Sequence, residues 1–203
     1  MNLPNKISLT RICMIPVFVL VFFLDGILPF NYVIAAIIFA LAACTDFIDG
    51  YIARSRGLVT NLGKFLDPIA DKVLVATAMI LLLTMKDTLF ALLGQAQTIV
   101  YIVTAIFICV ILARELIISA FRQIAAASGV VMAADKLGKY KTTFQDVAIF
   151  VLIFAVNLPL GAAKIFAYIG FGLFAVATVL TVWSGISYVV KNKTVLQDKK
   201  AEQ

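Results

Sequence analysis

Apolar segments long enough to cross a membrane recur along this chain, and no other feature limits its possible folds as strongly. A helix of about 20 apolar residues spans the roughly 30 Å hydrocarbon core of a bilayer. The chain has 203 residues, of which 63% are hydrophobic, and its mean hydropathy is +1.07. We therefore predict an all-α, polytopic membrane protein with six transmembrane helices, at about 8–25, 31–54, 66–85, 98–123, 143–158 and 163–190.

The distribution of basic residues predicts how these helices are oriented. With the N-terminus in the cytoplasm, fifteen of the seventeen Lys and Arg residues lie on the cytoplasmic side, and only Lys86 and Lys164 lie on the other. This bias predicts a multi-pass protein of the cell membrane with both termini in the cytoplasm. We expect residues 1–190 to form the transmembrane domain and 191–203 a polar tail. The net charge of +6 then faces anionic bilayer lipids and does not call for nucleic acid.

Four aspartates lie where the second predicted helix ends and the third begins. Asp46 and Asp49 are three residues apart, and Asp67 and Asp71 are four apart. On a helix, either spacing places both carboxylates on one face. If the two helices form a hairpin, the two pairs converge near the cytoplasmic membrane surface.

Four converging carboxylates repel one another, and a divalent cation would relieve that repulsion. An all-oxygen ligand set favours Mg²⁺ or Mn²⁺ over zinc, and two ions would suit four carboxylates. Small residues one helical turn from the aspartates leave room for a bulky ligand, and Arg54 could hold a phosphate. These small residues are Gly50, Ala53 and Gly63.

Two readings without a metal remain open. Asp67 and Asp71 could be favourable charges at a helix start. Ion pairs with Arg54, Arg56 and Lys64 could neutralise the carboxylates. Charged groups at membrane depth are energetically expensive, however, and function is their usual explanation.

Written as spacing, the segment is D-x2-D-G-x2-A-R-x8-G-x3-D-x3-D, from Asp46 to Asp71. It resembles the signature of the CDP-alcohol phosphatidyltransferase family at every position. The resemblance implies that a CDP-linked lipid donates its phosphatidyl group to an alcohol and that CMP leaves. It further implies that Asp46, Asp49 and Asp67 bind the metal ions, with Asp71 close to them and acting as general base.

The resemblance also implies a donor site. Arg54 would meet the diphosphate, and Gly50, Ala53 and Gly63 would line the cytidine site. The opening "LPNKISLTRICMIPVF", with Asn5 and Thr10, is similar to family members that use sn-glycerol 3-phosphate. We therefore expect Asn5 and Thr10 at the CDP-diacylglycerol site as well. The chain contains no histidine, so a carboxylate is the plausible base.

A second polar stretch, residues 113–146, indicates which alcohol is used. Arg114, Glu115, Arg122 and the run "GKYKTTFQ" resemble the same family members. A phosphorylated acceptor needs cations, and we expect its phosphate near Arg114, Arg122, Lys136, Lys139 and Lys141, with Glu115 orienting an arginine. Basic residues in a cytoplasmic connection are also explained by topology alone, so a headgroup-facing role stays open for the three lysines.

Two kinds of alternative remain. The same chemistry could use inositol phosphate, serine or phosphatidylglycerol as acceptor. In a different class, the aspartates could form the ion site of a divalent-cation transporter, although such sites usually lie near mid-bilayer. The family resemblance further implies a homodimer.

Overall fold

Six α-helices account for most of the described chain. The computed structural model describes residues 3–55, 61–127 and 136–192, and no strand occurs among them. The helices are α1 (Leu3–Phe22), α2 (Asn31–Ser55), α3 (Asn61–Thr84), α4 (Gln97–Ala127), α5 (Lys136–Ala155) and α6 (Leu160–Lys191), and a 3-10 helix (Phe90–Ala96) precedes α4. Each predicted helical segment coincides with one of the six, so the all-α class is confirmed.

Two stretches within the described residues are long and apolar enough to cross a membrane. They are Phe90–Ala125 and Leu160–Lys191, and shorter apolar stretches occur at Ile7–Phe22 and Asn31–Thr45. Large apolar side chains on α4 and α6 point outward, among them Leu116 at 70% and Trp183 at 68% exposure. An outward apolar surface of this kind fits a membrane protein. That all six helices cross the bilayer stays a prediction.

Three helices begin five or more residues earlier than the sequence predicted. α1 begins at Leu3 rather than near residue 8, α3 at Asn61 rather than near 66, and α5 at Lys136 rather than near 143. Hydropathy marks the part of a helix that suits hydrocarbon, whereas backbone hydrogen bonding continues into the polar turns beyond it. Lys136, Lys139 and Lys141 consequently lie on α5. The prediction that they lie in the connection before this helix was wrong.

Aromatic contacts and close helix contacts build the core. Between α1 and α2, the rings of Phe18 and Phe39 lie 5.9 Å apart, centroid to centroid. α5 packs along α6, where Gly170 faces Leu152 so closely that an added Cβ would lie 2.7 Å from its side chain. Such small residues allow two helix backbones to approach.

The third helix is central to the arrangement because it contacts α1, α2, α4 and α5. The contact between α2 and α3 agrees with the predicted hairpin, although its turn, residues 56–60, lies outside the described residues. Residues 71–79 of α3, 112–116 of α4 and 141–145 of α5 border one common cavity.

Candidate active site

A cavity of about 280 Å³ lies between α3, α4 and α5, and Asp71 lines it. Its other charged and polar lining residues are Lys72, Glu115, Lys141, Thr142 and Gln145. The remaining wall is apolar and includes Met79 and Leu112. The last aspartate of the motif therefore shares one cavity with Lys72 of the same helix and with Glu115 and Lys141 of the neighbouring helices.

The position of Asp71 within α3 removes one of the readings without a metal. Asp67 and Asp71 are the seventh and eleventh residues of a helix that begins at Asn61. The helix dipole acts mainly within the first turn. Stabilisation of a helix start therefore does not explain these two aspartates.

Glu115 joins the polar groups of the cavity. Its Oε1 accepts hydrogen bonds from Lys141 Nζ and, at 3.3 Å, from Arg114 Nη1. Lys141 is only 2% exposed, and a buried ammonium group requires a counter-charge. The sequence predicted that Glu115 orients an arginine, and the structure adds that Glu115 also pairs with Lys141.

The two described lysines at the start of α5 lie in different environments. Lys141 is buried in the cavity, whereas Lys139 is exposed. Residues two apart on a helix point in nearly opposite directions. The backbone of Lys136 belongs to α5, but its side chain lies outside the described residues. The sequence did not distinguish Lys139 from Lys141, and a role of either lysine at the acceptor phosphate stays a prediction.

Arg114 and Arg122 both contact α6. Arg114 Nη2 donates to Ser184 Oγ at 2.9 Å. Arg122 Nε donates to Tyr188 Oη at 3.1 Å, and its guanidinium carbon lies 5.2 Å from the centroid of that ring. Arg114 connects to the Asp71 cavity through Glu115. Arg122 lies two turns further along α4.

Two polar residues near the site, Lys72 and Arg11, were given no role there by the sequence. Lys72 lines the cavity and donates to Ser119 Oγ on α4. Arg11 is 1% exposed, and its Nε donates to Thr45 Oγ1 at 3.1 Å, directly before Asp46. The available signals were that Lys72 follows Asp71 and that Arg11 is a cation within an apolar segment.

Gln145 brings a buried amide to the cavity. The side chain is 2% exposed, and its Nε2 lies 3.7 Å from Met79 Sδ. No described group donates a hydrogen bond to its Oε1. A buried acceptor without a donor is unfavourable, so Oε1 is a suitable partner for a hydroxyl group of a ligand.

The side-chain environments of most donor-site positions lie outside the described residues. The backbones of these positions belong to α1, α2 and α3, while Thr10 is described and is exposed on α1. The described side chains contain no cluster of three possible metal ligands. The positions whose side chains are not described are Asn5, Asp46, Asp49, Gly50, Ala53, Arg54, Gly63 and Asp67. By their chemistry alone, the carboxylates of the motif would supply an all-oxygen donor set, which fits a hard divalent cation.

Comparison with known proteins identifies the family. Residues 1–183 match the CDP-alcohol phosphatidyltransferase family. The chain belongs to this family. Its members generally depend on divalent metal ions.

Curated relatives match along nearly the whole chain. A Bacillus subtilis (strain 168) protein is 38% identical over 201 residues, covering 94% of this chain and 95% of its own length. Proteins of Escherichia coli (strain K12) and Shigella flexneri serotype 5b (strain 8401) are each 39% identical over 200 residues, covering 98% of both chains. All three are named CDP-diacylglycerol–glycerol-3-phosphate 3-phosphatidyltransferase.

Proposed function

We propose that this protein transfers the phosphatidyl group of CDP-diacylglycerol to sn-glycerol 3-phosphate, giving phosphatidylglycerophosphate and CMP. The observation that carries the proposal is the cavity that Asp71 and Lys141 share. A carboxylate suits the proton of an attacking hydroxyl, and a buried ammonium group suits the phosphate of a phosphorylated acceptor. The names of the relatives support the same donor and acceptor.

The reaction exchanges one phosphorus–oxygen bond for another. The acceptor hydroxyl attacks the lipid-side phosphorus of the diphosphate, and the bond from that phosphorus to the CMP oxygen breaks. CMP leaves with the bonding electron pair. In our proposal Asp71 accepts the hydroxyl proton, and Gln145 Oε1 receives a hydrogen bond from an acceptor hydroxyl.

The donor side of the site follows from the motif. Asp46, Asp49, Asp67 and Asp71 would hold two Mg²⁺ or Mn²⁺ ions. Such ions neutralise the negative charge that the transferring phosphoryl group carries. Arg54 would contact the diphosphate, and Gly50, Ala53, Gly63, Asn5 and Thr10 would complete the CDP-lipid site.

For the acceptor side, we propose that Lys141 and Arg114 lie nearest to the phosphate of sn-glycerol 3-phosphate. The contacts of Glu115 with both cations support this arrangement. Arg122, Lys136 and Lys139 would form the outer part of the same basic surface. They would attract the anionic acceptor before it enters the cavity.

We further propose that all six helices span the cell membrane, with both termini and the active site on the cytoplasmic side, and that the protein is a homodimer. The bias of the basic residues supports the orientation. A site at the cytoplasmic rim also suits the donor, whose acyl chains stay in the bilayer while its head is polar.

The deciding experiment measures CMP release from CDP-diacylglycerol by the purified protein. It is run separately with sn-glycerol 3-phosphate, inositol phosphate, serine and phosphatidylglycerol, each with and without a chelator. We expect release only with sn-glycerol 3-phosphate, abolished by the chelator and restored by Mg²⁺ or Mn²⁺. Release with another alcohol alone would reassign the acceptor. Metal uptake by proteoliposomes without CDP-lipid would favour a transporter.

A further inference from the structure

We propose that Ser184 and Gly185 of α6 are positioning residues that hold Arg114 for the acceptor phosphate. We call these two residues the α6 notch. The inference deepens the proposed function and rests on it. It concerns a helix in which the sequence had assigned no functional residue.

The Arg114 side chain lies directly against Gly185. A Cβ on Gly185 would lie 3.0 Å from Arg114 Cγ and 3.3 Å from its Nε. Real Cβ atoms seldom approach other heavy atoms so closely, and the nearest atom is at the base of the arginine side chain rather than at its flexible end. An alanine at position 185 would therefore require Arg114 to shift by a few tenths of an ångström, beginning at the base of its side chain.

Ser184 fixes the other end of the same side chain. Arg114 Nη2 donates to Ser184 Oγ at 2.9 Å, while Nη1 donates to Glu115 Oε1. Two of the three nitrogens of the guanidinium are thus held, one by a residue of α6 and one by a residue of α4. A planar guanidinium held at two points has a defined direction, which suits recognition of a phosphate.

The notch is linked to the Asp71 cavity through one carboxylate. Glu115 Oε1 accepts from Arg114 and from the buried Lys141, and both Glu115 and Lys141 line the cavity. If Arg114 moves, Glu115 loses one of its two cationic partners, and the place of Lys141 is less well defined. The α6 notch therefore affects the position of Arg114 directly and that of Lys141 through Glu115.

The Arg114 side chain has room for a small shift without unfolding of the bundle. A cavity of about 480 Å³ lies between α4 and α6 and is bordered by Arg114, Ile118, Gly185 and Val189. We therefore expect Gly185→Ala to alter binding of the acceptor more than stability.

Three glycine-to-alanine variants of α6 test the inference. Gly172→Ala is the matched control, because a Cβ there meets nothing within 4 Å. Gly170→Ala is the packing control, because its Cβ would lie 2.7 Å from Leu152.

We expect Gly185→Ala to raise the KM for sn-glycerol 3-phosphate about tenfold relative to Gly172→Ala, the scale of one lost hydrogen bond to a charged group. Its KM for CDP-diacylglycerol should stay within about twofold. Gly170→Ala should lower the unfolding temperature without changing the ratio of the two KM values.

Two further variants test whether the effect acts through Arg114. Ser184→Ala adds no bulk and should raise the acceptor KM in the same direction. In an Arg114→Ala background, Gly185→Ala should have no additional effect on the acceptor KM, as expected for residues that act as one unit.

The inference is overturned if Gly185→Ala and Ser184→Ala behave like Gly172→Ala, if both KM values rise equally, or if the Gly185→Ala effect persists without Arg114. Failure of the proposed function is a different result. It would appear in the wild-type protein, which would release no CMP with sn-glycerol 3-phosphate.

Discussion

At the scale of single residues, Asp71 combines a motif position with a place in a described cavity. We expect Asp71→Asn to lower turnover by a factor of about 10² or more, because amides accept protons poorly and general-base catalysis typically contributes that much. CDP-lipid binding should be largely retained. CMP release and equilibrium binding of CDP-diacylglycerol measure the two effects. A loss of donor binding as large as the loss of rate would make Asp71 mainly a metal ligand.

Lys141 and Lys139 form a natural pair for a second prediction, since one is buried beside Glu115 and the other is exposed. We expect Lys141→Ala to raise the KM for sn-glycerol 3-phosphate about tenfold or more, because a charge-assisted contact is lost. Lys139→Ala should change it by less than about twofold.

Kinetics with each substrate varied in turn measure this difference. Equal effects of the two lysine variants would mean that the phosphate is bound at the outer basic surface and not inside the cavity. The unfolding temperature should fall for Lys141→Ala as well, because Glu115 loses its buried partner. The KM ratio, which a purely structural loss would leave unchanged, separates the two consequences.

At the scale of helices, the turn between α5 and α6 stabilises the start of α2. Asn157 Oδ1 accepts hydrogen bonds from the backbone N–H groups of Tyr32 and Val33, at 2.9 and 3.2 Å. Asn157→Ala would leave both donors without this acceptor, and we expect a loss of about 1–2 kcal/mol in unfolding free energy. Asn157→Asp keeps an acceptor oxygen and should lose less.

Denaturant unfolding in detergent measures that loss, and activity provides the contrast. Asn157 is twelve residues beyond Gln145 on the same part of the chain, or about 18 Å along helical geometry. CMP release at low temperature should therefore be unaffected by Asn157→Ala. A loss of activity without a loss of stability would show that this cap acts on the site from a distance.

The existence of the helices was predictable from the sequence, but their polar ends were not. Apolar segments gave the positions of all six helices. They placed the starts of α3 and α5 too late, because the first turns of both helices are polar. The earlier starts change the interpretation of the site. Asp67 and Asp71 do not lie at a helix start, and Lys139 and Lys141 lie on different faces of α5.

At the scale of the whole molecule, the orientation of the bundle can be tested on α6 alone. Lys164 and Lys191 are both exposed and lie near opposite ends of this helix. They are 27 residues apart, or about 40 Å along a helix. In a cysteine-free background, we expect a membrane-impermeant maleimide to label Lys164→Cys in intact cells and Lys191→Cys only after the membrane is opened.

The cysteine-free background requires replacement of Cys13, Cys44 and Cys109, all of which are exposed in the structure. Labelling of both positions in intact cells would contradict a membrane-spanning α6. The reverse pattern, with Lys191→Cys accessible from outside, would invert the whole predicted topology.

The sequence by itself determined the membrane class, the family and the acidic motif, because these depend on composition and on spacing along one chain. Tertiary structure decided which charged residues share a cavity with Asp71. Lys141, Lys72 and Glu115 reach one cavity only because α3, α4 and α5 pack together. The contact between Gly185 and Arg114 joins residues 71 positions apart. No local pattern encodes such a distance, because it is set by how two helices approach each other.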